Sequence, residues 1–266
     1  MPVVCDFQVE ALSQDEFHAI DRIVMKHAFD VQNDLGRFYD EKVYQNELMF
    51  RLQSHGLPVT SEALVKVVHR DFVKHYFLDI MVGHGAVYEL KTVDALVGMH
   101  QNQLIHYLIL LNLHHGKLLN FKPKSVEHRF VSTRISPSCR FDVHFDDSDW
   151  AETSSEDRVV KDTVHGLMED WGSFLDVVLY EEAILYFLGG CEKRVQPLDV
   201  SVGNRVVGQQ KVCLLQDNVA LHISAVKRNQ SSYQRHIARL FEHTRLTQIQ
   251  WINFNQNRVE MITLKK

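Results

Sequence analysis

The chain repeats itself, and this constrains its architecture more than any single motif does. The segment LLNFKPKSVEHRFVS, from Leu118 to Ser132, returns as WINFNQNRVEMITLK, from Trp251 to Lys265, with the Asn-Phe and Val-Glu pairs both displaced by 133 residues. Earlier in the chain DLGRFYDEKVYQNELMF, from Asp34 to Phe50, returns as DWGSFLDVVLYEEAILY, from Asp170 to Tyr186, where Gly36, Asp40 and Tyr44 meet Gly172, Asp176 and Tyr180 at a displacement of 136. Two matched blocks in the same order read as an internal duplication.

Each copy has the same coarse grammar. A helix comes first, carried by Phe17, Ile20, Val24, Ala28 and Val31 in one copy and by Val160, Val164, Leu167 and Trp171 in the other, at the three- and four-residue spacings of an amphipathic helix. A second helix follows a Gly turn. Strand-like segments come next, with Gly203-Asn204 as a hairpin turn in the second copy. Then YELKTV aligns with LHISAV, HQNQLIHYLILLNL with YQRHIARLFEHTRL as one helix each, and a strand pair closes the unit. This order predicts an α/β fold with two tandem domains, each a small mixed sheet flanked by helices. The domains are expected over residues 1–137 and 156–266, with the acidic, Ser-rich stretch 138–155 as a linker.

Composition narrows the class. With 266 residues, 45% of them hydrophobic and 24% charged, the chain can bury substantial cores and does not read as disordered. Its longest apolar run, LIHYLILLNL, is broken by His106, Tyr107 and Asn112 and falls short of the roughly 20 residues of a membrane helix. No secretory leader is visible, and Cys5, Cys139, Cys191 and Cys213 form no Cys-x-x-Cys pair, so reduced thiols and a cytoplasmic location are expected. A net charge of −5 argues against wholesale coating of nucleic acid while leaving room for a local basic patch.

The chemistry concentrates around YELKTV, Tyr88 to Val93. In a strand, Glu89 and Lys91 point to one face and Leu90 to the other, with Asp79 one strand away. Such a set is either a buried structural ion pair or a metal site. Magnesium is held by few protein carboxylates, and Asp79 with Glu89 supplies such a pair.

The residues LGRFYDEKVY, FLDIMV, YELKTV, HQNQLIHYL and KLLNF, in this order over most of residues 15–131, resemble the GxxExxY family of PD-(D/E)XK proteins, of the restriction-endonuclease-like superfamily. One departure is plain: the second family glycine, three positions before the glutamate, is Phe38, so the loop before the second helix must take a conformation that a bulky residue tolerates. The resemblance implies a metal-dependent nuclease using Mg²⁺ or Mn²⁺, with nucleic acid, DNA in the first place, as substrate. It implies metal ligation by Asp79, Glu89 and the Leu90 backbone carbonyl, with Glu41 as an outer or third acid. Lys91 would orient the attacking water or stabilise the transition state, and Gln103 and Tyr107 match a Q-x-x-x-Y signature close to the metal or the DNA. The alternative is a non-catalytic nucleic-acid-binding or protein-interaction module on the same fold.

The second copy lacks this set. Glu41, Asp79, Glu89, Lys91, Gln103 and Tyr107 align with Val177, Val212, His222, Ser224, His236 and Leu240. A polar set exchanged as a whole is expected of residues that worked as one site, and the second copy reads as a degenerate, pseudo-nuclease domain. It is locally basic instead: Lys227, Arg228, Arg235, Arg239 and Arg245 are either phosphate contacts or an ordinary solvated face. The oligomeric state is left open, a homodimer included.

Overall fold

The computed structural model describes residues 2–266. The chain divides into two compact units, Met1–Pro137 and Ser138–Lys266.

In the first unit, β1 (Val3–Cys5) is followed by α1 (Gln14–Leu35) and α2 (Glu41–Ser54). The hairpin strands β2 (Val59–His69) and β3 (Phe72–Val82) lead to β4 (Ala86–Lys91), and α3 (Gly98–Leu110) then carries the chain across to β5 (His115–Asn120) and β6 (Glu127–Ser132). The sheet runs β1-β2-β3-β4-β5-β6; β4 and β5 are parallel, as a helical crossover requires, and the other pairs are antiparallel. Helix α1 begins at a reciprocal cap between Ser13 and Glu16 and ends at Gly36, whose φ of 78° suits glycine. Its predicted apolar stripe packs with α2 on one face of the sheet, against Ile80, Val82, Tyr88, Leu90 and Leu119. The other face packs against α3 through Leu78, Met81, Val87, Leu104, Leu108 and Leu118.

The second unit repeats this plan. Helices α5 (Ser155–Trp171), α6 (Val177–Phe187) and the short α7 (Cys191–Arg194) precede the hairpin β8 (Val195–Val202) and β9 (Arg205–Gln216), then β10 (Val219–Ser224). After the crossover come β11 (Gln248–Asn255) and β12 (Arg258–Lys265), with β10 and β11 again parallel. The second sheet runs β7-β12-β11-β10-β9-β8, where β7 is His144–Asp149. Both units are thus six-stranded mixed sheets flanked by helices. They differ in where the sixth strand attaches: β1 covers the edge of β2, while β7 pairs in parallel with β12 at the opposite edge.

Two expectations are corrected. The stretch 138–155 is not a bare linker: it holds β7 and most of α4 (Pro137–Phe141). Its polarity reflects an edge strand, and the stretch is tied down at a few points. Phe145 stacks on His165 at 4.0 Å, the Ala151 N–H donates to Thr263 Oγ1 at 2.8 Å, and Trp150 is 9% exposed. The expected single crossover helix of the second unit is broken into α8 (Gln230–Ala238) and α9 (Leu240–His243), with Arg239 between them. There the backbone tightens to three-residue hydrogen bonds, Arg239 N–H to His236 and Glu242 N–H to Arg239, and Ile237 and Phe241 on either side of the break share one core.

Candidate active site

The site begins where two strands part. The β3–β4 ladder pairs Val82 with Ala86, Met81 with Val87 and Ile80 with Tyr88, and ends there. One residue further, Asp79 Oδ2 accepts from the Leu90 N–H at 2.7 Å, so a side chain takes the place of the next ladder partner. The Asp79 carbonyl is satisfied from α2 by the buried Gln45, whose Nε2 donates to it at 2.6 Å. The alternation of β3 slips at this point: Leu78 and Met81, three apart, share the core under α3, while Ile80 and Val82 face α1 and α2. The slip turns the Asp79 carboxylate to the strand end rather than into either core.

Glu89 and Lys91 share one face of β4, as alternation demands. Glu89 is 2% exposed; its Oε1 accepts from Lys91 Nζ at 2.8 Å and from Gln103 Nε2 at 2.7 Å. Gln103 also reaches the Tyr107 hydroxyl at 3.1 Å, so the two α3 residues act on Glu89 as a chain. The other carboxylate oxygen, Glu89 Oε2, is buried and meets no hydrogen-bond partner. Glu41, the first residue of α2, completes the group; the Thr92 N–H and Lys91 favour its charged form.

Electrostatically the cluster is short of positive charge. Burial pushes the Glu89 carboxyl up to about 8, and the neighbouring Asp79 adds to the shift. Burial also raises Asp79 against the opposing pull of the Leu90 N–H and Lys91, and it raises Glu41. Burial disfavours the Lys91 ammonium, but the carboxylates of Glu89, Asp79 and Glu41 outweigh it and lift its pKa. The Tyr107 phenol is pushed up to about 12 by burial and stays a neutral hydrogen-bonding group. Three acids and one lysine in partial burial are what a divalent cation would balance.

The residues present fit such an ion. Among the described residues no group of three or more His, Cys, Asp or Glu stands in ligating geometry, so a closed protein cage is not formed. Magnesium does not ask for one: it takes one or two carboxylates and fills its remaining positions with waters and substrate oxygens. Asp79, Glu89 with its unpartnered Oε2, and the Leu90 carbonyl are the donors at hand.

Residues not singled out from the sequence hold the loop beyond β4. Asn120 accepts from the Val93 N–H at 3.1 Å, donates to the Val93 carbonyl at 2.8 Å and to Glu127 at 2.9 Å, and Glu127 accepts from the Leu96 N–H at 3.1 Å. The second unit has the same latch: Asn253 accepts from the Val226 N–H at 2.7 Å and donates to the Val226 carbonyl at 3.0 Å and to Glu260 at 2.8 Å. The repeated Asn-Phe and Val-Glu pairs carried this signal. For Gln45 there was none, since its counterpart is Glu181.

At the equivalent place in the second unit stands a different network. His222 meets the Tyr233 hydroxyl at 2.8 Å, and Ser224 receives Trp251 Nε1 and donates to Asn253, both at 2.9 Å. Burial lowers the His222 pKa and keeps the ring neutral. Lys227, Arg228 and Arg235 line an open cleft of about 450 Å³ with Ser231 and Asn255. Arg239 lies in the break between α8 and α9, and Arg245 donates to the Asp217 carbonyl at 3.1 Å beside a separate cleft.

With the geometry in place, comparison adds a family. The model described as the PD-(D/E)XK nuclease superfamily matches residues 18–135, from within α1 to just past β6. This stretch is similar to that superfamily and has a nuclease-like fold. No curated protein and no solved structure matches the chain. Among the described residues no helix is long and apolar enough to cross a membrane.

Proposed function

We propose that the chain is a metal-dependent nuclease that hydrolyses phosphodiester bonds in DNA, with one working site in the first unit. The reading extends to the GxxExxY type of PD-(D/E)XK domain, present as a tandem duplication whose second copy has lost the site. The observation that carries it is the buried, unpartnered Glu89 Oε2 beside Asp79, in a cluster with more acids than cations. A second carboxylate oxygen buried without a partner, in a cluster of three acids and one lysine, is a position that a divalent cation would fill.

Asp79, Glu89 and the Leu90 carbonyl would hold Mg²⁺ or Mn²⁺, with Glu41 as the further acid. When bound, the ion supplies charge neutralisation at the scissile phosphate and acidifies a coordinated water. Gln103, backed by Tyr107, fixes Glu89 Oε1 and so leaves Oε2 as the ligating oxygen. Lys91 stays protonated and donates to the attacking oxygen or to a non-bridging phosphate oxygen. The attacking water gives up a proton to solvent as its oxygen bonds to phosphorus, one phosphorus–oxygen ester bond breaks, and the departing alkoxide takes a proton from solvent. In the second unit Lys227, Arg228 and Arg235 hold backbone phosphates next to a site without acids, with Arg239 and Arg245 as outlying contacts. Incubating labelled DNA with protein and Mg²⁺ tests the reading. Cleavage is expected from the wild type and none from Asp79→Asn; equal cleavage by both would overturn it.

A further inference from the structure

The strand end that carries the carboxylates is rimmed by apolar side chains that no core requires. Phe38 is 88% exposed, Met99 70%, Tyr39 52% and Val97 46%. Single exposed apolar residues are ordinary on a protein surface. These four, however, occur on the two segments that deliver site residues. Phe38 and Tyr39 immediately precede Asp40 and Glu41 at the start of α2, and Met99 stands one helical turn before Gln103 on α3, on the same helix face. Since α2 and α3 pack on opposite faces of the sheet, one apolar projection comes from each helical layer. Phe38 already engages a cation: the Arg37 guanidinium lies 5.1 Å from its ring centroid.

The second unit serves as an internal control. Phe174, the counterpart of Phe38, is half-buried and held at a φ of 67°, and Leu175, the counterpart of Tyr39, is 8% exposed. Gln230 and Ser232 replace Val97 and Met99. Where the carboxylates are missing, the apolar projections are tucked in or polar. Exposure and site go together, so the rim belongs to the site's work and not to the fold.

Resting on the nuclease reading, we propose that Phe38 and Met99 are stacking contacts for unpaired nucleobases, and that the substrate class is single-stranded nucleic acid or a frayed duplex end. Intact duplex hides the faces of its bases within the stack and offers phosphates and sugars at its surface, against which Phe38 and Met99 gain little. An unpaired base offers an open π-face, and aromatic stacking on it is sequence-tolerant. Arg37, poised over the Phe38 ring, can extend the stack and meet the adjoining phosphate.

The test measures binding without cleavage. In EDTA, the full chain is titrated into a single-stranded oligonucleotide carrying 2-aminopurine and, separately, into a blunt duplex of the same sequence. Phe38→Ala and Met99→Ala are each expected to weaken single-strand binding about tenfold and to reduce quenching of the 2-aminopurine, leaving duplex affinity within twofold. Both sites are exposed, so melting curves should not move. Unchanged single-strand affinity overturns the proposal, as does an equal loss on both probes. A wild type that binds neither probe also overturns it. A parallel Mg²⁺ cleavage assay separates the two claims. Cleavage with rim-independent binding removes the stacking role alone; rim-dependent binding without cleavage of any probe removes the nuclease reading alone.

Discussion

The two units keep the same scaffold and disagree about what to place at its strand end. In the first, Tyr44 donates to the Gly36 carbonyl at 2.9 Å, accepts from the Tyr39 N–H and stacks on Phe121 at 4.7 Å. In the second, Tyr180 donates to the Gly172 carbonyl at 2.6 Å, accepts from the Leu175 N–H and stacks on Phe254 at 4.5 Å. The Asn120 and Asn253 latches share three bonds, from the valine N–H, to the valine carbonyl and to the glutamate. Against this constancy, the Glu89–Lys91–Gln103–Tyr107 chain becomes His222, Ser224, His236 and Leu240. The sheet forms equally well with either set. The difference teaches that the acidic cluster is not what holds the fold together, since the second unit forms the same sheet without it.

The largest expected effect probes a second contrast, away from the site. Lys117 on β5 forms a buried ion pair with Asp21 on α1, next to the Tyr88 hydroxyl, whereas the second unit has Asp157 and the neutral Gln250 at these places. Lys117→Ala should strand the Asp21 charge and destabilise the first unit by about 3–5 kcal/mol. Gln250→Ala should cost about 1–3 kcal/mol in the second. All three tryptophans, Trp150, Trp171 and Trp251, lie in the second unit, so fluorescence follows that unit while circular dichroism follows both. A Lys117→Ala transition that moves both signals alike would break the picture of two separate cores.

Activity should divide along the same line. Lys91→Ala is expected to lower DNA cleavage about a hundred- to a thousandfold, the scale of losing one preorganised charge contact, with DNA affinity little changed. Ser224→Ala, at the matching place in the second unit, should leave the rate alone. Comparable losses from both would place the working site somewhere other than the first unit.

Much of this was legible from residues alone, for identifiable reasons. The helix stripes of Phe17, Val24 and Val31 and of Val160, Val164 and Leu167 register core burial directly, and the Asn-Phe and Val-Glu repeats mark latches that both scaffolds need. The facing of Glu89 and Lys91 followed from strand alternation. The slip at Asp79 and the Gln45 bond to its carbonyl were not legible, because they depend on where the β3–β4 ladder ends and on a helix from the other layer. The polar stretch at 138–155 misled because an edge strand needs few apolar residues, and the break of the crossover helix at Arg239 is announced by no Gly or Pro.

A pH dependence would sharpen the contrast at the carboxylates. Glu89 has its folded pKa raised from an ordinary 4.5 to about 8, so its favourable share of stability is present below 4.5 and is lost as pH rises toward 8. The metal-free protein should therefore melt progressively lower between these limits, by a few degrees, and Glu89→Gln should flatten the slope. Mn²⁺ should restore the loss at the alkaline end in the wild type and not in the variant. A melting temperature that is flat with pH in the wild type would mean that Glu89 is already compensated within the fold.

The smallest effect concerns the basic cleft of the second unit, and it decides whether that unit does more than accompany the first. If Lys227, Arg228 and Arg235 hold phosphates, each releases counterions on binding, and each removed charge should lower the slope of log affinity against log salt by about 0.7–0.9. The double variant Lys227→Ala with Arg235→Ala should thus flatten the slope by about 1.4–1.8, weaken binding in low salt, and leave catalysis at saturating DNA untouched, since phosphate contacts position the backbone without entering the chemistry. Arg245→Ala is the comparison: as an outlying contact whose guanidinium also serves the Asp217 carbonyl and lines another cleft, it should lower the slope less. A double variant with the original slope would make the cleft a solvated face. An Arg245→Ala variant that lowers the slope as much would show that DNA is drawn to the charge of the unit as a whole rather than to the cleft.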